Sequence, residues 1–340
     1  MKIFYKVLLA VVVVFTVLLL SGALSAQGNS GNAFERVKEV QEKHTARLMA
    51  IKGVVGTAVG VDPDDKPEVK VFVEGAGVAG IPKKLEEVSV EVVVTGKIYA
   101  LKPGGKPSAP SVDPKARFPR PVPIGVSTGH PLITAGTISC RVKDASGNVY
   151  ALSNNHIYAN QNRATIGDNV LQPGTFDGGV NSTDAIGTLS AFVPIVFSTS
   201  ADNKIDAAIA LSSTANLGKA TPSGGYGTPK STTAPAYARM QVQKYGRTTV
   251  LTKGKVYATN ATVDVYYGGQ DVARFVGQII ITPGNFSAGG DSGSLVVKSD
   301  RNANENNKPV GLLFAGSQTF TVANPINEVL SAFGVSVDGE

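Results

Sequence analysis

Gln278-Ile279-Ile280-Ile281, then Thr282-Pro283-Gly284-Asn285-Phe286-Ser287-Ala288, then Gly289-Gly290-Asp291-Ser292-Gly293-Ser294, then Leu295-Val296-Val297 make one continuous passage. Two apolar runs of β type enclose a dense turn that ends in glycines. Glycine at 290 opens a backbone conformation closed to other residues, and glycine at 293 keeps the far side of Ser292 clear. A loop that turns so sharply aims the backbone N–H groups of Gly290 and Ser292 at one point. Such a pair beside a hydroxyl is the arrangement of an oxyanion hole next to a nucleophile.

A serine hydroxyl needs a base within hydrogen-bond reach and an acid that orients the base. The chain has three histidines, His44, His130 and His156, and all precede Ser292. The order serine first and histidine last, used by α/β-hydrolases, is therefore excluded. Ser294 also stands where that family's elbow has its second glycine. Histidine before serine remains.

His156 follows the β-type run Val149-Tyr150-Ala151-Leu152 and sits in the polar turn Ser153-Asn154-Asn155. His130, between Gly129 and Pro131, is expected as a solvated or edge-strand residue, and His44 as a structural residue of a helix. Two aspartates between base and nucleophile precede apolar runs, Asp184 and Asp206. Asp206 is preceded by Ile205 and followed by Ala207-Ala208-Ile209-Ala210-Leu211, so it is drawn into a buried seam. A carboxylate survives there only when hydrogen-bonded, and an imidazole N–H suits it. Asp184, within Asn-Ser-Thr-Asp, reads as a turn residue.

These residues resemble a family. His156, Asp206 and Ser292 are similar, in order and local sequence, to the triad of trypsin-like (chymotrypsin-fold) serine peptidases, and more narrowly to the bacterial and plant narrow-leaf-type branch. Leu152-Ser153-Asn154-Asn155-His156, Asp206-Ala207-Ala208-Ile209-Ala210-Leu211 and Gly290-Asp291-Ser292-Gly293-Ser294 carry the resemblance, which covers about residues 124–340. It implies a mainly β fold: a double six-stranded β-barrel with a C-terminal helix, preceded by a small α+β domain. It implies catalytic His156, Asp206 and Ser292, and an oxyanion hole from Gly290 and Ser292. It also implies a substrate pocket at Phe286, Phe314, Ala315 and Gly316. The implied activity is peptide-bond hydrolysis by a serine endopeptidase; the alternative is a catalytically inactive peptidase-like binding or scaffold protein at the cell surface. Phe286 at the pocket floor speaks against a basic side chain in the substrate. Ile157 replaces the cysteine usual after the histidine, and Asp291 needs a donor other than a newly cut N-terminus, because the linker ends in the poor cleavage site Arg120-Pro121-Val122-Pro123.

The remainder frames this region. A basic start with Lys2 and Lys6, the apolar run Val7–Leu20 and the small residues Ser21–Ala26 read as a cleavable secretory signal, residues 1–26. That predicts a secreted or periplasmic protein with no membrane attachment after cleavage. Its loss lowers the formal charge from +6 to +4, which with no tryptophan and no basic run gives no indication of nucleic acid as a partner. A peptide or protein substrate is the expected partner; the oligomeric state is unknown. Cys140, the only cysteine, reads as a buried apolar residue. No His, Cys and carboxylate cluster has ligand spacing, so neither metal nor cofactor is expected.

Residues 27–101 read as a small α-β-β-α-β domain, a possible pro-segment: a helix with a capping box at Asn32 and Glu35, strands near Val54–Val61, Val69–Val73 and Val88–Val94, and a short helix Pro82–Glu87. Residues 102–123 hold seven prolines in 22 residues and predict an extended, solvated linker. The peptidase-like region 124–340 divides at the polar gap Ser212–Pro235 into barrels of about 124–211 and 236–323. Asn324 as cap, Pro325 and Gly334 bound a terminal helix.

Overall fold

The computed structural model describes residues 31–101 and 112–340. The signal segment 1–26 and the linker residues 102–111 lie outside the described residues.

Short runs of Val, Ile, Leu and Ala alternating with polar residues close into two barrels. In the first, strand Arg141–Asp144 pairs with Val149–Ser153, which pairs with Ala208–Ser212, then Ala185–Phe192 and Asn169–Leu171. A bridge from Leu171 to Gly129, and bonds from Gly125 N to Ile138 O and from Ser139 N to Leu152 O, close the ring. In the second, Gln241–Gly246 pairs with both Val250–Gly268 and Leu295–Lys298. Pro309–Gly316, Thr321–Pro325 and Asp271–Thr282 complete that circuit. The mainly β double six-stranded barrel implied by the sequence is the observed architecture. Alternating side chains fill each barrel, Cys140, Leu152, Leu189 and Ile209 in the first and Val242, Ile281, Phe286 and Leu313 in the second.

The terminal helix is Ile326–Phe333, closed by left-handed Gly334 as expected. Its start differs from expectation. Asn324 is the penultimate residue of strand Thr321–Pro325, and Pro325 occupies the cap position without a side-chain bond. Asn324 is buried and its amide is engaged elsewhere, as described below. After the helix, Val335–Val337 pairs with Arg141–Asp144, tying the chain end to the first barrel.

Ahead of the barrels, a helix over 31–49 packs Val37, Val40 and Leu48 on strands Val54–Val61 and Pro67–Val73. The helix already runs at residue 31, so Asn32 lies inside it and does not cap it. The second helix expected at Pro82–Glu87 is absent. Lys84–Leu85 instead pairs back on Val88–Ser89 in a tight hairpin. Glu86 and Glu87 take φ of 46° and 70°, which no helix accommodates. Strand Val54–Val61 pairs antiparallel with Val250–Gly268, Thr57 opposite Thr262, so this unit and the second barrel share one sheet.

The linker also departs from expectation. Residues 112–123 lie against the first barrel, where Val122 is buried and bridges Leu217. Arg117 clasps Asp184 through two bonds of 2.7 Å. Proline content stiffens the backbone, but Phe118, Val122 and the arginines supply apolar and charged anchors that a solvated spacer lacks.

Candidate active site

His156 lies in the short helix Asn155–Tyr158, which begins where strand Val149–Ser153 ends. That strand pairs with Ala208–Ser212 with Ser153 opposite Ala208, so Asp206 arrives beside the imidazole. His156 Nδ1 and Asp206 Oδ2 are 2.6 Å apart, and the His156 backbone N–H donates to Asp206 Oδ1 at 3.2 Å. Asp206 is fully buried. The Asn154 amide donates to its carbonyl at 2.8 Å, while its backbone N–H donates to Asn324 Oδ1 at 3.1 Å. Asn324 in turn donates to Gln278 Oε1 at 2.7 Å. Asn324, read from sequence as a helix cap, thus fixes the backbone of the acid.

Ser292 belongs to the second barrel, and Thr137 of the first barrel brings it to the cleft. Thr137 N donates to Ser292 O at 2.8 Å, Thr137 Oγ1 donates to Gly290 O at 2.9 Å, and Ser153 Oγ donates to Thr137 O at 2.8 Å. The loop itself is wound around Asp291. Its carboxylate accepts from the N–H groups of Ala288 at 3.0 Å, Thr248 at 2.9 Å and Thr249 at 3.2 Å, and from Thr249 Oγ1 at 2.6 Å. Lys244 Nζ stands 3.4 Å away, both side chains being fully buried. Burial lowers the Lys244 pKa from the ordinary lysine range, against the opposing pull of Asp291. Lys244 is the buried charged partner of Asp291. The alternation Val242-x-Lys244 in strand Gln241–Gly246 places it on the inward face with buried Val242, a signal available in the sequence.

Ser292 Oγ makes no hydrogen bond with His156. Its proton has two carbonyl acceptors, Leu101 O and Phe314 O, each at 3.2 Å. His156 Nε2 is buried with no partner. The reason lies in a segment the sequence did not single out. Ile98–Ala100 runs antiparallel to Pro309–Gly316, with Ala100 opposite Ala315 and Tyr99 opposite Gly316. Leu101 N donates to Phe314 O, and Gly290 N donates to Leu101 O, both at 3.4 Å. Of the two N–H groups expected to converge, Gly290 contacts this carbonyl and Ser292 contributes its hydroxyl instead.

The pocket residues divide. Phe286 is buried in the apolar cluster of Ile281, Val296 and Leu313, against which Leu101 packs. A Cβ on Gly316 would lie 3.4 Å from Leu101 Cδ2, so Gly316 faces the Leu101 side chain. Phe314 and Ala315 belong to a different cluster, Phe314 stacking on Phe275 with ring centroids 4.8 Å apart. Phe314 meets the cleft through its carbonyl, which accepts from Leu101 N at 3.4 Å and Ser292 Oγ at 3.2 Å. Beyond Leu101, a cleft of about 200 Å³ passes His156, Leu132, Ile133 and Ala135.

The other expected residues lie apart from this cleft. His130 is buried, not solvated, with Nε2 3.1 Å from Asp168 Oδ2 and Nδ1 accepting from Leu132 N. Asp184 does close a turn, and its carboxylate is held by Arg117. His44 pairs with Glu86 at 3.0 Å on the helix surface. Among the described residues no group of His, Cys, Asp and Glu has metal-binding geometry, and no helix is long and apolar enough to cross a membrane.

Two closed six-stranded barrels, with His156 and Asp206 on one and the Ser292 loop on the other, define a trypsin-like fold. No family model and no curated protein sequence matches the chain. Among solved structures it is similar to a glutamic acid-specific serine protease, at 21% identity over 64% of this chain and 100% of that one, TM-score 0.45. It is similar to protease A of Thermobifida fusca, at 19% over 64% and 100%, TM-score 0.46. A third is the chymotrypsin of Cellulomonas bogoriensis, at 18% over 64% and 99%, TM-score 0.42.

Proposed function

We propose that this chain is an exported serine endopeptidase that hydrolyses peptide bonds through His156, Asp206 and Ser292, and that residues 27–101 act as its inhibitory pro-segment. One observation carries the reading: residues 98–101 lie in the cleft as a bound peptide would, with the Leu101 carbonyl between the Gly290 N–H and the Ser292 hydroxyl. That carbonyl marks where a reacting carbonyl stands. The Ser292 oxygen attacks it once the hydroxyl turns from its carbonyl acceptors to His156 Nε2. The imidazole takes the proton and then delivers it to the leaving amine, while Asp206 holds the imidazole tautomer and stabilises its charged form. The Gly290 N–H stabilises the oxyanion. The apolar cluster around Phe286 suits a leucine-sized side chain before the scissile bond. The leader at residues 1–26 supports export to the periplasm or the outside.

The test is labelling by a fluorophosphonate probe together with cleavage of a peptide series that varies the residue before the bond. Labelling of the wild type, its loss in Ser292→Ala, and preference for Leu over Lys and Asp support the proposal. Persistent labelling of Ser292→Ala moves the nucleophile elsewhere.

A second reading, a peptide-binding protein without turnover, is favoured by one observation, the missing bond between Ser292 and His156. Retention of added peptides with neither labelling nor cleavage would select it.

A further inference from the structure

Asp206 has an acceptor bond that the proposed triad does not use. Tyr267 Oη donates to Asp206 Oδ2 at 2.8 Å, on the same oxygen that faces His156 Nδ1. The tyrosine comes from the other barrel, near the end of strand Val250–Gly268, and is almost wholly buried. Its ring also meets the imidazole edge-on, with centroids 5.8 Å apart at 75°, and is itself boxed by Phe197 and Phe275. One side chain therefore touches both members of the base–acid pair, across the interface between barrels.

Among the described residues no other hydroxyl is bonded to this carboxylate. The neighbouring cleft strand, Pro309–Gly316, is built of Pro, Val, Gly, Leu, Leu, Phe, Ala and Gly and has no side-chain hydroxyl to offer. The remaining bonds to Asp206 are the His156 N–H on Oδ1 and the Asn154 and Asn324 amides on its backbone. Among the described residues, Tyr267 and His156 are the only titratable side chains bonded to it. Burial, and then the Asp206 charge, push the Tyr267 phenol well above its ordinary pKa, so it remains a donor throughout the range in which peptide hydrolysis would be measured.

We propose that Tyr267 is the positioning residue of the site, clamping Asp206 with its hydroxyl and His156 with its ring edge so that the imidazole Nε2 stays aimed at Ser292. The inference rests on the hydrolytic reading above and adds to it a residue from outside the triad. A donor on Oδ2 disperses the carboxylate charge, which weakens its hold on a protonated imidazole. Removing the donor leaves Oδ2 facing His156 alone, so the carboxylate and imidazole are free to turn together away from Ser292.

The test is Tyr267→Phe in the full chain, which removes one oxygen and preserves the ring contacts. The expected result is a fall in kcat/KM of up to about a hundredfold, the cost of misplacing a reacting group by about 1 Å. KM changes little, so the loss falls on kcat. A variant within twofold of wild type, or one whose loss falls on KM alone, overturns the proposal and leaves Tyr267 as packing. The second measurement needs no turnover: the downfield proton resonance of His156 Nδ1–H in wild type and variant. A displaced resonance supports the clamp and an identical one overturns it, even if wild type proves unlabelled and the hydrolytic reading fails.

Discussion

Cys140, the one thiol of the chain, is sealed in the first-barrel core, where burial pushes its pKa up to about 12. A thiol held protonated reacts slowly as a nucleophile. The native protein is therefore expected to resist iodoacetamide at pH 8 and to take up one equivalent after denaturation; rapid alkylation of the native form would contradict the buried assignment. Gly290 is constrained in the opposite sense. Its φ is +97°, and a Cβ there would lie 2.6 Å from Thr248 Oγ1 and 2.7 Å from Arg247 Nη1. Gly290→Ala must move the loop that presents the candidate oxyanion donor, and a displacement of about 1 Å at such a point costs about a hundredfold in rate. Probe-labelling kinetics of this variant, set against a preserved circular dichroism spectrum, measure that effect.

The serine loop is an element organised around a charge. Asp291 gathers three backbone N–H groups, one hydroxyl and buried Lys244, and thereby sets the curve that carries Gly290 and Ser292. Breaking a buried ion pair by removing one charge typically costs about 3–5 kcal/mol, because the survivor is stranded. Asp291→Asn is expected to lower stability on that scale in urea unfolding and to abolish probe labelling even where the protein remains folded. A variant of wild-type stability would mean that the backbone donors alone define the loop. The hairpin 250–282 is the second organising element. It closes the second barrel, accepts the sheet of the N-terminal unit at Thr259 and Thr262, and near its tip pairs with Ile98 and Tyr99 while presenting Tyr267 to Asp206.

Across the whole molecule, the sheet shared by Val54–Val61 and Val250–Gly268 fastens the N-terminal unit to the barrel, and residues 98–101 reach from it into the cleft. If the site is active, its first accessible peptide bond is its own, between Leu101 and Lys102. Purified full-length protein is expected to convert on incubation into a fragment ending at Leu101 and another beginning at Lys102, read by intact mass and N-terminal sequencing. Ser292→Ala should remain uncut, and Leu101→Asp should slow conversion by placing a charge among Phe286, Ile281 and Leu313. The two fragments should co-elute in gel filtration, because the shared sheet survives the cut. A first cut at another bond would show that the observed cleft occupancy is not the productive one.

Periodicity and local motif carried far in this chain. Runs of β type gave an all-β barrel or sandwich in two halves, Asp206 was legible as a buried acid from the apolar residues around it, and the glycines around Ser292 announced a sharp turn, since each of these depends on neighbours within a few positions; the double barrel came from the family resemblance. The inward alternation of Val263, Val265 and Tyr267, like that of Val242 and Lys244, was also present but did not say what each side chain would meet. The partners were decided only in three dimensions. Asn324 reaches Asp206 across 118 positions, Tyr267 reaches it across 61, and Leu101 reaches Ser292 across 191. Local pattern specifies which face of a strand is buried, whereas contacts between distant strands depend on barrel closure and sheet register, which no short window encodes.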